Sequence, residues 1–160
     1  MAAIAVEAGV SKALLHYHYH DRASLLAEIV ERIGGRLVNR ERTAIDRTQA
    51  SSGLDALWHW LDAELRRGEL ASLVELALLR EGAVRTASRA VATHRRRSAT
   101  RTVERLFTEL ELTPRVPAAL LADASIAFID GLALDVANGS LRDPRISFDI
   151  FWLAVLGLTE

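Results

Sequence analysis

Apolar residues along this chain recur at intervals of three and four, with little strict alternation, so the pattern predicts helices throughout and no sheet. Near the start, Ile4, Ala5 and Ala8 share one helical face. Gly9 follows as a stop, because glycine takes the left-handed conformation at a helix end without steric cost. Ser11 then offers an N-cap hydroxyl to a second helix, expected from Ser11 to His20. On that helix Leu15 and Tyr19 lie four apart and pack back on Ile4 and Ala8, with Val10 plugging the angle between the two. Helix, glycine turn, helix is the pattern of a helix-turn-helix. Asp21 caps a long third helix that reaches about Arg47, with Leu25, Leu26, Ile29, Ile33 and Leu37 on one face. Gly34 and Gly35 each weaken its middle by about 1 kcal/mol relative to Ala. They mark either a soft point or a close approach of two helix backbones.

Residues 48–53 read as a loop, and Leu54, Leu57, Trp58, Leu61 and Leu65 form a helical stripe ending at Gly68. A further helix carries Leu70, Leu73, Val74, Ala77 and Leu78 and is expected to end near Gly82. The next, from Ala83 to Leu112, sets Val91, Val103, Leu106, Phe107 and Leu110 on its apolar face. Its basic run, His94 to Arg97 with Arg101 and Arg105, is read as a solvated face paired with Glu104, Glu109 and Glu111. Thr113 to Pro117 breaks the helix. Ala118 to Asn138 forms another, stopped by Gly139. Residues 141–144 read as a loop before a final helix from Ser147 to Leu158. The expectation is an all-α fold of about eight helices.

Composition narrows the chemistry. Half of the 160 residues are hydrophobic, enough for a core, and the formal charge is −1, which argues against a uniformly basic nucleic-acid binder but not against a local basic end. Lys12 is the sole lysine among many arginines. With no cysteine there is no disulfide framework, thiol nucleophile or cysteine metal site. The start lacks the basic segment of a signal peptide, and the most apolar later run contains Asp123, Asp130 and Asp135, too much charge for a membrane span. These features favour a cytoplasmic protein without a membrane partner. His16, His18 and His20 could suggest a metal site, but no other ligand is fixed beside them, and they read as DNA-facing or surface histidines. No phosphate-binding glycine loop, anchored nucleophile–base pair or paired-carboxylate signature points to an enzyme or a cofactor.

The order Ile4-Ala5, Ala8-Gly9-Val10-Ser11, Leu15, Tyr19, Arg22 and Leu25-Leu26 resembles the DNA-binding signature of the TetR/AcrR family of transcriptional regulators. Tyr19 stands at that pattern's usual Phe, Arg22 at its Lys and His16 at its Tyr. The resemblance implies a helix-turn-helix head, residues 1–26 with the start of a connecting helix, and a regulatory and dimerisation domain over 27–160. It implies that Ser11, Lys12, Ala13, Leu14, His16, Tyr17, His18 and Arg22 face double-stranded operator DNA, with Lys12 reaching a phosphate or a guanine edge and His16, Tyr17, His18 and Arg22 reaching phosphates. Leu14 departs from the small polar residue common in relatives. A small, hydrophobic effector is expected in a pocket drawn from Trp58, His59, Leu61, Leu76, Phe107 and Phe128. The apolar excess of the last two helices, together with the family, points to a homodimer through Ile126, Ile129, Phe148, Phe151, Trp152 and Val155. The function implied is a regulator, most often a repressor, released from DNA by its effector. Relatives carry a further helix ahead of the motif, and its absence before Met1 is expected to reflect a start placed too late, a fragment or a real truncation. DNA binding is therefore expected to be weak for the chain as it stands, and the alternative is a truncated paralogue that binds a ligand or a partner without binding DNA.

Overall fold

Capping chemistry sets where most of the helices begin and end. The protein is described by a computed structural model covering residues 1–47, 53–140 and 143–159. Its helices are α1 (Ala2–Glu7), α2 (Lys12–His18), α3 (Arg22–Asp46), α4 (Gly53–Arg67), α5 (Glu69–Ala77), α6 (Gly82–Glu109), α7 (Ala118–Ala137) and α8 (Pro144–Leu156). The all-α expectation holds: among the described residues the sole extended pairing is an isolated bridge between Pro114 and Thr159. Gly9, Gly68 and Gly139 all take positive φ, at 65°, 69° and 67°, at turns that follow a helix. Asp21 caps α3 by accepting from the Ser24 N–H at 2.7 Å.

Several boundaries differ from the sequence reading, among them the end of α6 at Glu109 rather than Leu112. The second helix is shorter than Ser11 to His20, because Tyr19 is already extended at its C-cap. α5 stops at Ala77, well before Gly82, and leaves Leu78 exposed. α8 begins at Pro144 rather than Ser147: Asp143 accepts from the Arg145 and Ile146 N–H groups, and Pro144 fills the first turn, where its missing N–H costs nothing. Of the loop expected at 48–53, Gly53 instead opens α4, while 48–52 and Leu141-Arg142 lie outside the described residues.

The core forms where α3 lies along α6, with α4, α5, α7 and α8 closing round them. Val30, Leu37, Leu61, Leu70, Val84 and Val103 are its most deeply buried side chains. Gly34 sits where α3 crosses α6: a Cβ there would overlap the Val91 side chain, whereas Gly35 faces open space. Of the two readings of this glycine pair, close packing accounts for Gly34. α3 runs unbroken from Arg22 to Asp46, across the boundary at residue 26 expected from sequence.

The arginines of α6 find different partners from those expected. Arg95 pairs with Asp130 and Arg96 with Asp123, both on α7, while Arg105 reaches Glu109 and Asp46. Of the three glutamates named from sequence, Glu109 is the one these ion pairs include. A second network joins α3 to α4 and α5: Arg40 holds the fully buried Glu64 through two nitrogens at 2.7 and 2.6 Å, and also Glu69 at 2.7 Å. No helix of the described residues is long and apolar enough to cross a membrane.

Candidate functional site

The chain's start builds an exposed, capped helix on a tight turn. Gly9 turns the backbone after α1, and the Ser11 hydroxyl accepts from the Leu14 N–H at 3.0 Å. The cap fixes the first turn of α2, so Lys12, Ala13 and Leu14 face outward, followed by His16, Tyr17 and His18, all exposed. Leu15 and Tyr19 are half-buried, as their four-residue spacing requires. Val10 is exposed rather than plugged between the helices. The DNA-facing set predicted from sequence thus lies on one accessible helix, with Arg22 apart from it. That guanidinium is held by Glu81, just before α6, at 2.6 Å. Asp21 beside it carries a carboxyl below its ordinary range, because the Ser24 N–H and hydroxyl both donate to it. Chemically, α2 offers one ammonium, imidazole and phenol groups for phosphates, and an apolar Leu14 at the front. Among the described residues no three His, Cys, Asp or Glu side chains converge to hold a metal ion.

The six residues proposed for ligand binding fall in different surroundings, with Leu76 half-buried against the core. Leu61 and Phe107 are buried in the core, and His59 is exposed with its ring nitrogen on the Asp55 carbonyl at 2.6 Å. Trp58 packs on Phe148 under the Arg145 guanidinium, and Phe128 stacks on Phe151 with centroids 4.3 Å apart. A small pocket lies elsewhere, between α3, α4, α6, α7 and α8. It is about 30 Å3 and is lined by Leu37, Glu41, Trp60, Arg95, Thr102 and Ile126, among others. Sequence reading missed Glu41, although it stood between Leu37 and Ile45 on the apolar stripe of α3. Burial pushes its carboxyl above the usual glutamate range, against hydrogen bonds from Thr102 and Ser98 and the charges of Arg95 and Arg101.

Of the six residues named for a dimer interface, Ile129, Phe148, Trp152 and Val155 are buried within the subunit, while Ile126 and Phe151 are half-buried. The outward faces of the same two helices carry other apolar side chains. α7 presents Leu120, Ala124, Ala127 and Gly131 at helical spacing, and α8 presents Ile146, Ile150 and Leu153, the last 70% exposed.

No family model matches the chain, and no curated protein does. Among solved structures it is similar to a protein of Pseudomonas aeruginosa PAO1 described as a candidate transcriptional regulator, with a TM-score of 0.73 and 26% identity, over 97% of this chain and 77% of that one. The likeness supports a regulator role. An all-helical chain with a capped, exposed second helix at its head is in keeping with it.

Proposed function

We propose that this chain is a TetR-like transcriptional repressor that binds operator DNA as a homodimer in the cytoplasm and is released by a small-molecule effector. The observation that carries this reading is the Gly9 turn and Ser11 cap, which leave the outer face of α2 free. In the major groove, Ser11 and Ala13 would allow close approach and Leu14 would meet a thymine methyl. Lys12, His16, Tyr17 and His18 would hold phosphates and set register. Arg22 would join them only by leaving Glu81. The second copy would cover the outward faces of α7 and α8, where small residues on α7 permit close helix contact. An effector in the body would act on DNA binding through α3, provided it favours one spacing of the two heads over the other.

A mobility-shift titration on the DNA upstream of the chain's own gene, at two salt concentrations, tests this. The expected result is a retarded complex that weakens steeply with salt and is lost in a Lys12→Ala, Tyr17→Ala double variant. A wild-type chain that runs as a folded dimer and retards no duplex would overturn it. That outcome would favour the second reading, a dimerising partner without DNA affinity, which is motivated by the thin packing of the head: Val6 on α1 is 82% exposed, and α2 buries no residue.

A further inference from the structure

The outer groove between α3 and α6 gathers guanidinium groups that the chain does not neutralise. The Thr102 hydroxyl donates to Glu41 at 2.8 Å, and this contact sets the next residues side by side: Arg42 follows Glu41 on α3, and Arg101 precedes Thr102 on α6. Arg105 stands one turn beyond Arg101, and Asp46 one turn beyond Arg42. Arg42, Arg101 and Arg105 line the groove with Ser98, Thr102 and Asp46, round a space of about 180 Å3. Arg105 is held by Glu109 at 2.6 Å and by Asp46 at 3.0 Å. Arg42 gives one nitrogen to the amide oxygen of Asn39 and has no ion pair among the described residues. The Arg101 guanidinium is exposed and, among the described residues, makes neither a hydrogen bond nor an ion pair; it acts on the buried Glu41 through space. Ser98 and Thr102 turn their hydroxyl protons inward to Glu41, so guanidinium N–H groups are the donors left in the groove.

We propose that this groove binds a phosphate dianion, either free or as the monoester end of a small molecule. Its donors carry positive charge, so a cation is repelled and a neutral alcohol forgoes the charge-assisted bonds. The planar fork of arginine matches carboxylate and phosphate alike. Number separates the two. The guanidiniums come from two helices, and a phosphate monoester offers three acceptor oxygens and close to two negative charges, against two oxygens and one charge for a carboxylate. Arg42 and Arg101 supply the matching charges, while Arg105 stays on its carboxylates. The space is many times the roughly 10–15 Å3 that a single water needs, and smaller than a pocket for a whole drug-sized ligand, so it takes the phosphate and leaves an esterified remainder in solvent. At 1.5 Å of rise per residue, Arg42 stands about 30 Å along α3 from Arg22, which separates the groove from the face proposed for DNA. A phosphate bound there ties α3 to α6. The site goes beyond the operator and effector readings and depends on neither.

The test is a calorimetric titration of the full chain without DNA, at constant ionic strength and about pH 8, where both phosphates are dianions. Glycerol 3-phosphate and inorganic phosphate are compared with dimethyl phosphate and acetate, which carry one charge each. Saturable binding of both dianions is expected, with the two monoanions at least tenfold weaker. Tighter glycerol 3-phosphate assigns the site to a monoester; inorganic phosphate as tight or tighter assigns it to free phosphate. Arg42→Gln and Arg101→Gln should each lower affinity by about tenfold, the scale of a charge-assisted hydrogen bond. Arg97→Gln, one turn before Arg101 but outside the groove, should leave affinity unchanged. All three side chains are exposed, so the variants keep the fold, which helical circular dichroism checks. Equal losses in Arg97→Gln and Arg101→Gln would mean diffuse attraction to a basic helix face and overturn the proposal. So would the absence of saturable phosphate binding, or acetate bound as tightly as phosphate. Dimethyl phosphate bound as tightly as the monoester would assign the groove to a nucleic-acid backbone and overturn it too.

Discussion

In α2 no side chain is buried, and the helix is fixed at its N-terminal end by the Ser11 hydroxyl and the Gly9 turn. In α3, which follows directly, Val30 and Leu37 are fully or almost fully buried, and Arg40 is tied to Glu64 and Glu69 on two other helices. A helix as short as α2 is marginal in water by itself, so its shape depends on local caps and a thin apolar contact. The body draws on burial and on charges whose partners are far along the chain. The contrast suits a part that must fit another molecule's groove joined to a part that must keep its own shape. It also implies that damage in the body unfolds the chain, whereas damage in the head changes binding first.

The body should yield the largest effect. Arg40→Met leaves the buried Glu64 with Arg67 alone, at 3.0 Å. Removing one partner of a buried ion pair costs about 3 kcal/mol or more. Urea melts should show that loss as a lower midpoint with unchanged steepness. A variant as stable as wild type would mean that the network contributes specificity rather than stability, and would weaken the contrast.

The glycine pair gives a smaller effect with an internal control. Gly34→Ala forces a methyl into Val91, a stiff β-branched side chain, and overpacking of this kind costs about 1–3 kcal/mol. Gly35→Ala meets nothing and should gain roughly 1 kcal/mol from helix propensity. Opposite signs at adjacent positions would place the crossing at Gly34, and like signs would not.

Glu41 supplies a slope. Its folded carboxyl titrates above the ordinary range because burial penalises the charge. The folded chain therefore holds that proton more tightly than the unfolded one, and stability falls as pH rises from the ordinary glutamate value through the folded one. Glu41→Gln removes the titration. The gain in stability over wild type should be small in acid and grow toward neutral pH. A pH-independent difference would contradict this.

These three predictions also mark what could be read from sequence. Caps and stops were legible at Gly9, Ser11, Asp21, Gly68 and Gly139, because their chemistry acts within a few residues. Asp143-Pro144 carries the same kind of signal: an acidic cap before proline is a helix start, although its composition alone resembles a loop. The partners of Arg95 and Arg96 were not legible. They lie 35 and 27 residues further along the chain on α7, and helical period alone does not say which helix a charge will face. The surroundings of Trp58, Phe107 and Phe128 were not legible for the same reason. Glu41 and Glu64 were the available clue: each is a charge inside an apolar stripe, and such a charge must meet a partner or a cavity.

In the head, Ser11→Ala removes the hydroxyl that caps α2 and should cost about 1 kcal/mol, confined to that helix. Amide exchange would accelerate through residues 12–18 and stay unchanged across α3 and α6. Uniform acceleration would mean that head and body unfold together, and the contrast between them would fail.

The smallest effect on stability concerns the ion pair between the two regions, and it is the most informative for binding. Arg22 opens α3 and is held by Glu81, with 53% and 36% of the two side chains exposed. Exposed pairs contribute about 0.2–1 kcal/mol, so Glu81→Gln should barely move a melt. Its effect on DNA affinity should be clearer. While Glu81 holds the guanidinium, a phosphate must displace that carboxylate first; in the Glu81→Gln variant the ion pair is gone before DNA arrives. Duplex affinity should rise by roughly two- to threefold, about what an exposed pair is worth, and the slope of log affinity against log salt should steepen by up to about one unit if Arg22 then adds a phosphate contact. Arg22→Gln should make the slope shallower and cancel the effect of the Glu81 substitution in the double variant. An unchanged affinity in Glu81→Gln would mean that Arg22 never reaches DNA and serves to pin the start of α3 against the body, leaving the exposed face of α2 as the head's entire contact surface.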